Sequence, residues 1–183
     1  MPHSILKLTL SLLIGLSLIG SSQAIAGSKV EINFEVKQAL QRFKKDVIAS
    51  DEYIKLAKGM LVFPSIFKAG FGIGGEYGEG AMIINGKTVE YYSTAAASIG
   101  FQLGAQTKTV IIMFMSDKAL KKFRRSDGWE AGVDGSVALI DLGAATTLDT
   151  NTAKKPIIAF VFNNKGLMYN LSLEGSKYSK IDP

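Results

Sequence analysis

The segment from Gly59 to Gly80 constrains this chain most, because glycine recurs through it between bulky apolar residues. Glycine brings no side chain to pack and loses much conformational entropy on ordering. A strand that keeps many glycines therefore needs close backbone approach or tight curvature. The segment holds few groups that could perform acid–base or nucleophilic chemistry. The segment therefore predicts β-structure with tight curvature or close backbone contacts.

The N-terminal residues are typical of a secretory signal peptide. Ile5 to Ile19 are almost wholly apolar, Lys7 supplies a positive charge, and the run Ala24-Ile25-Ala26 has the small-x-small pattern that signal peptidase reads. The alternative is a membrane anchor, but about 15 apolar residues are fewer than the roughly 20 that span a bilayer. We therefore expect residues 1–26 to be removed, and the mature protein to be exported.

Few catalytic side chains are available in the mature chain. The sequence contains no cysteine, and its one histidine, His3, lies in the predicted signal peptide. Cysteine nucleophiles, Ser-His triads, histidine bases and zinc sites built from Cys or His are therefore excluded. The formal net charge of +5 is only mildly basic, so the charge alone does not select a nucleic acid or a lipid as partner.

Apolar residues between about Val30 and Ser50 recur at helical spacing and predict an amphipathic helix. They are Ile32, Val36, Leu40, Phe43 and Val47. The opposite side is basic and comprises Lys37, Gln41, Arg42, Lys44 and Lys45. Asp51 is expected to cap a second helix that runs to about Lys58, with Gly59 as its stop.

After Pro64 the pattern changes to short apolar runs between turn residues, which predicts an antiparallel sheet. Asn85-Gly86 predicts a hairpin turn, and a second hairpin is expected at 163–166, joining 157–162 to 167–173. Val110 to Met115 is apolar without alternation and predicts a strand buried on both faces. Ser116 is expected to cap a helix that ends near Arg125.

These elements predict one α+β domain over residues 27–183, helical over 30–58 and mainly β over 60–181. Its N-terminal amphipathic helices would pack on a curved, mainly antiparallel β-sheet or partial barrel of about eight to ten strands.

Three candidate sites have ordinary structural alternatives. Residues 70–75 fit G-x-G-x-x-G, but more glycines and a hairpin follow where a nucleotide site needs a helix, so nucleotide binding is disfavoured. Trp129 could plug the sheet or lie at a membrane interface, and plugging is favoured. Carboxylates in glycine-rich segments could form a hydrolase or metal site, although such acids commonly bond turn amides. They are Glu76, Glu79, Asp127, Glu130 and Asp134.

Two basic elements remain, and either could be a solvated helix face. The first is the basic side of the N-terminal helix, which continues to Lys55 and Lys58 and reaches Lys68 after the turn. The second is the helix after Ser116, where Leu120 and Phe123 face the core and the other side carries Lys118, Lys121, Lys122 and Arg125.

Ordered motifs from about Ala57 to Ile181 resemble the SYLF-domain family. They are Pro64, Lys68-Ala69-Gly70, Gly74 to Gly80, Tyr91-Tyr92-Ser93, Gly104-Ala105-Gln106, Ser126 to Glu130, Gly132 to Ser136, Asn164 to Met168 and Ser172 to Gly175. The resemblance implies a lipid-binding module that meets phospholipid through an N-terminal amphipathic helix and nearby basic residues. Lys58 and Lys68 match the family pattern by position, whereas the helix matches only in character, which leaves Lys37, Arg42, Lys44, Lys45 and Lys55 as candidates by location.

The sequence therefore predicts a non-enzymatic, cofactor-free periplasmic protein that binds anionic phospholipid at a membrane surface. Each lysine or arginine near an anionic leaflet contributes about 1 kcal/mol, so several give reversible attachment. An envelope scaffold with a protein partner is the alternative, and a carboxylate-dependent hydrolase is the least favoured. Nucleic acid is not expected as a partner, and neither is the actin bound by eukaryotic relatives, because an exported chain would not meet actin.

Overall fold

A computed structural model describes residues 27–140, 154–166 and 173–183 of the chain. Two helices come first, α1 (Lys29–Asp46) and α2 (Ser50–Leu56), and α3 (Asp117–Arg125) follows later. In α1, the Ser28 Oγ accepts a hydrogen bond from the amide of Glu31 at 3.2 Å and caps the helix. Ser116 caps α3 in the same way, as the sequence predicts. No helix in the described residues combines the length and apolarity that a bilayer crossing requires.

The predicted ends of the second helix are wrong. Ala49 is the residue at its N-terminal cap, and Asp51 lies inside the first turn, where its carboxylate pairs with the Lys44 ammonium at 2.8 Å. The helix ends at Leu56 with an extended cap residue, and Gly59 instead begins the first strand. An acid in the first turn still stabilises a helix through the dipole, which explains why Asp51 resembled a cap.

One long hairpin forms most of the sheet. Strands β1 (Gly59–Ile84) and β2 (Lys87–Phe114) are antiparallel along their length. Asn85 and Gly86 join them with φ values of 52° and 74°, which is the type I′ geometry that the Asn-Gly pair predicts.

The remaining strands pair along the other edge of β2. They are β3 (Trp129–Glu130), β4 (Ala138–Ile140), β5 (Ile157–Gly166) and β6 (Lys177–Ile181). The first part of β2 pairs with β6, which also pairs with β3, while its last part pairs with β5. Among the strands that the structure describes, β4 is the one that runs parallel to its neighbour, β5. The predicted α+β class with a curved, mainly antiparallel sheet is confirmed.

Glycines in β1 allow the strand to fold back across itself. A Cβ added to Gly80 would lie 2.2 Å from the Val62 carbonyl oxygen, and one added to Gly78 would lie 2.7 Å from the Ser65 carbonyl oxygen. Any side chain at these positions would push two backbone segments apart. The glycine-rich segment is therefore the curled, closely packed β-structure that its composition predicts.

Alternate residues of β1 divide the interior into two clusters. Met60 and Val62 pack beneath α1 and α2, with the α1 residues Ile32, Val36, Ala39 and Phe43. Leu61 and Phe63 point to the other face, where they meet Leu120 and Phe123 of α3. Because neighbouring strand residues alternate between faces, α1 and α3 lie on opposite faces of the sheet.

Two further predictions, for Trp129 and for a hairpin at 163–166, concern the C-terminal half of the chain. Trp129 is buried against Phe123 and Tyr178, which confirms the plugging role. The predicted second hairpin is wrong at its turn, because β5 continues through residues 163–166. Asn163, with φ of 52°, lies in a bulge between the pairs Thr107–Lys165 and Thr109–Phe162. The strand predicted over 167–173 lies outside the described residues except for Leu173.

Candidate functional site

The outer face of α1 combines exposed apolar and basic side chains. Val30 is 80% exposed and Phe34 is 63% exposed, and they lie four residues apart. At 3.6 residues per turn, Lys37, Lys44 and Lys45 lie on the same side of the helix, opposite the buried stripe. We call these five residues the α1 outer face.

Phe34 and Phe43 have opposite environments although both belong to α1. Phe43 is fully buried, with its ring centroid 4.8 Å from that of Phe160. Phe34 makes none of the ring contacts found in the described residues. Apolar insertion into a bilayer is thus open to Phe34 and closed to Phe43.

The lysines near this face differ in how they are neutralised. Lys44 pairs with Asp51 at 2.8 Å, and both side chains are largely exposed. Among the described residues, Lys37, Lys45, Lys55 and Lys58 are exposed and form no ion pair. The face therefore keeps most of its positive charge available to a ligand.

Arg42 is half-buried beside the α1 outer face. Its Nε atom is buried without a hydrogen-bond partner among the described residues, and its side chain lines an open cleft of about 240 Å³. The other described lining residues are Glu35, Gln38, Pro64, Ser65, Thr107 and Asn163. Arg42 therefore points between the helix and the sheet rather than outward.

Lys68 does not extend the basic surface as expected, because its side chain is only 8% exposed. It lies on β1 opposite Gln106, on the same sheet face as Lys108 and Ile66. In an extended strand every second side chain points to the same face of the sheet. Lys68 is two residues after the buried Ile66 and therefore points inward as well. The structure separates Lys68 from Lys58, which remains exposed.

A buried ion pair lies in the same curled sheet. The Lys108 Nζ lies 3.0 Å from Glu76 Oε2, and the Ser176 hydroxyl donates to Glu76 Oε1 at 3.3 Å. The Tyr178 hydroxyl is close by, and burial raises the pKa of this phenol well above its usual value. This pair was not predicted from the sequence. The available signal was the position of Lys108, two residues before Val110 and therefore on the same inward side of β2.

Two of the remaining candidate acids, Glu79 and Asp134, accept hydrogen bonds from neighbouring groups. Glu79 accepts hydrogen bonds from the Gly27 amide at 2.8 Å and from the Tyr77 hydroxyl at 2.6 Å. Burial, followed by this bond and the charge of Glu79, raises the pKa of Tyr77 to about 12. Asp134 accepts from the Glu130 amide at 2.7 Å within one turn, and Asp127 is exposed.

No group of three metal-ligating His, Cys, Asp or Glu residues occurs within 27–140, 154–166 and 173–183.

Glu90 joins β2 to α3 and β6 through a network that the sequence did not predict. It accepts from Arg124 at 2.8 and 3.1 Å, from Lys180 at 2.9 Å and from Tyr92 at 2.9 Å. Burial raises the pKa of this carboxyl, but the bonds from Arg124, Lys180 and Tyr92 outweigh burial and lower it to about 2. The network fixes α3 on the sheet.

A second basic surface lies on α3. Lys118, Lys121, Lys122 and Arg125 line an open groove of about 620 Å³ together with Ser126. The helix buries Leu120 and Phe123 and turns these four cations to the solvent, as the sequence predicts.

The structure is an α+β domain in which a curled sheet carries helices with exposed basic and apolar side chains. Such surfaces are typical of domains that bind a partner. Residues 95–182 match the family model described as Ysc84, Las17-binding protein actin regulator. The resemblance to the SYLF-domain family that the sequence motifs carry is confirmed over that segment.

Similar curated proteins cover more of the chain. The SH3 domain-containing YSC84-like protein 1 of Rattus norvegicus is 25% identical over 147 residues, and that of Homo sapiens is 28% identical over 149 residues. Each alignment covers 78% of this chain and 43% of the relative. The protein of Xenopus laevis is 25% identical over 136 residues, or 72% of this chain and 40% of the relative. The chain thus spans less than half the length of these relatives.

Proposed function

We propose that the protein binds anionic phospholipid membranes through the α1 outer face and catalyses no reaction. The observation that carries this proposal is the exposure of Val30 and Phe34 directly beside Lys37. A helix with apolar and basic side chains on one outer face suits the boundary between headgroups and acyl chains, because each type of side chain finds its preferred environment there.

The expected affinity is moderate. Lysines near an anionic leaflet contribute about 1 kcal/mol each, and Lys44 contributes less because Asp51 already neutralises it. Exposed Lys55 and Lys58 would add to Lys37 and Lys45 where they reach the same surface. Partial burial of Phe34 adds about 1–2 kcal/mol. Attachment would therefore be peripheral, reversible and sensitive to salt.

The protein is further proposed to act after export, in the periplasm. The sequence of residues 1–26 supports this, and so does the contact at Gly27. Cleavage after Ala26 would turn the Gly27 nitrogen into an ammonium group, and that nitrogen lies 2.8 Å from Glu79 Oε2. The new charge would therefore be formed beside a carboxylate.

Sedimentation with vesicles tests the lipid proposal. Vesicles of equal parts phosphatidylglycerol and phosphatidylcholine are compared with phosphatidylcholine alone, at low and high salt. We expect binding only to the anionic vesicles. In the double variant K37E/K45E, binding should weaken about 30-fold, because at least 2 kcal/mol of attraction is lost.

The variant K37R/K45R is the matched control, because it changes the same positions and keeps their charge. It should bind as the unmodified protein does. Equal binding by K37E/K45E and K37R/K45R would refute the role of the α1 outer face. Absence of binding to anionic vesicles at low salt would refute the lipid proposal as a whole.

A protein partner is the second candidate, and the description of the family as Las17-binding favours it. The actin regulation in that description is not proposed for this chain, because an exported protein does not meet actin. Crosslinking in intact cells, followed by mass spectrometry, would support this candidate if one envelope protein is recovered and K37E/K45E still captures it.

A further inference from the structure

The groove on α3 has the charge of an anion-binding surface. Four cationic side chains line it, and among the described residues Lys118, Lys121 and Arg125 form no ion pair. Lys122 donates to the backbone carbonyl of Asp134, and because a carbonyl is neutral this bond leaves the charge of Lys122 uncompensated. Arg124 points away from the groove and is neutralised by Glu90. The positive charge of the groove is therefore available to a ligand.

An exposed apolar side chain lies next to these cations. Val133 is 74% exposed, in the turn 132–134 to which Lys122 is hydrogen-bonded. The turn is held by the amide of Asp134, which donates to the Glu130 carbonyl at 2.9 Å. The α3 groove thus repeats the combination of lysines and exposed apolar groups found on the α1 outer face.

The two surfaces cannot both meet one flat bilayer, because α1 and α3 lie on opposite faces of the sheet. Met60 and Val62 contact the cluster under α1, whereas Leu61 and Phe63 contact the cluster under α3. The Glu90 network and the packing of Phe123 on Phe114 and Tyr92 fix α3 in that position. The sheet therefore acts as a rigid spacer between the two basic surfaces.

From this arrangement we infer that the α3 groove is a second docking surface for anionic phospholipid, and that the protein bridges two apposed membranes. The inference rests on the lipid binding proposed above. Charge complementarity and Val133 favour a lipid surface. The described lining residues of the groove include no aromatic side chain on which a nucleic acid base could stack.

Clustering of vesicles separates bridging from simple binding. The protein is added to vesicles of equal parts phosphatidylglycerol and phosphatidylcholine, and clustering is followed by turbidity while binding is measured by sedimentation. The unmodified protein should bind and cluster. The variant K118E/K121E should still sediment with vesicles through the α1 outer face, while its clustering rate falls about tenfold or more. Lys122 is left unchanged because it holds the turn 132–134.

Matched variants complete the test. K118R/K121R keeps the charge and should cluster normally. K37E/K45E should sediment about 30-fold more weakly and lose clustering, because only the α3 groove remains to hold a vesicle. If the unmodified protein binds vesicles without clustering them, bridging is refuted and the lipid proposal stands. If it does not bind them, the lipid proposal itself has failed. Equal clustering by K118E/K121E and K118R/K121R would also refute bridging through α3, because it assigns clustering to self-association of the protein.

Nucleic acid is the competing ligand of the groove. A single-stranded oligonucleotide should not bind the unmodified protein more tightly than it binds K118E/K121E at physiological salt. If that variant loses oligonucleotide binding and keeps vesicle clustering, the groove is a nucleic acid site and the inference is wrong.

Discussion

Lysines of the helical layer and lysines of the curled sheet have opposite environments in this protein. Lys37 and Lys45 are exposed without an acidic partner in the described residues, whereas Lys108 is buried beside Glu76. A solvated ammonium contributes little to folding and remains available to a ligand. A buried ammonium depends on its partner, because removing that partner leaves a desolvated charge. The effect of a mutation should therefore decrease as the exposure of the altered group increases.

The largest effect is expected at the buried pair. Replacing Glu76→Gln leaves the Lys108 ammonium buried without a counter-charge and should lower the free energy of unfolding by about 3–5 kcal/mol. Urea unfolding measures the loss. The double variant E76L/K108M, which removes both charges, should recover most of it. A loss below about 1 kcal/mol in E76Q would contradict the assignment of these two groups as a pair.

The two phenylalanines of α1 also differ in burial, since Phe43 is in the core and Phe34 is exposed. Phe43→Ala should cost about 3–5 kcal/mol, because the ring fills a core position against Phe160 and Phe162. Phe34→Ala should change the free energy of unfolding by less than about 0.5 kcal/mol and weaken sedimentation with anionic vesicles. Equal destabilisation by both changes, measured in urea, would show that Phe34 also packs in the core.

The half-buried Glu90 should have an intermediate effect that depends on pH. Its pKa is lowered from 4.5 to about 2, so its contribution is present above pH 4.5 and is lost as pH falls towards 2. The carboxylate is 21% exposed, and we expect about 1 kcal/mol at neutral pH. Unfolding measured between pH 5 and 2 should show this loss, and Glu90→Gln should remove that part of the pH dependence.

The smallest effect is expected at the proposed mature N terminus, where Gly27 and Glu79 are both half-buried and form a single contact. A chain that begins at Gly27 carries an ammonium beside Glu79, which should raise the pKa of that ammonium above the ordinary value of about 7.7–8.0. Its contribution of about 0.5 kcal/mol is present below that ordinary value and is lost as pH rises through the raised pKa.

A chain that retains Ala26, or one with Glu79→Gln, is the control for this prediction. Neither should show the loss of stability between pH 7 and 9. If the chain that begins at Gly27 has the same profile as these controls, the ammonium forms no pair with Glu79.

Predictions from local patterns succeeded where neighbours in sequence decide the structure. The spacing of Ile32, Val36 and Phe43 gave the buried stripe of α1, and Asn85-Gly86 gave the hairpin turn. At Asn163 the same kind of local signal failed, because pairing of β5 with β2 continues past the residue and accommodates its positive φ in a bulge. A turn residue permits a turn, but the neighbouring strand decides whether the chain reverses.

Lys68 shows why the candidate site was predicted only in part. It was grouped with Lys58 because both match the family pattern and follow the basic helix in sequence. Which side of a strand faces the interior depends on how the sheet curls, and the curl is set by contacts such as Gly80 against Val62. Those contacts join residues distant in sequence, so helical periodicity could not place Lys68.

The amino-acid sequence by itself determined the amphipathic helices, the glycine-rich strand, the absence of cysteine, the position of the one histidine at residue 3, and the resemblance to the SYLF-domain family. These follow from residue type and short-range spacing, which are read directly from the chain. Only the tertiary structure decided that Lys108 pairs with Glu76, that Lys68 is buried, and that α1 and α3 lie on opposite faces of the sheet. Burial and pairing depend on which distant segments come together, because a charge takes its energy from the groups that surround it in space.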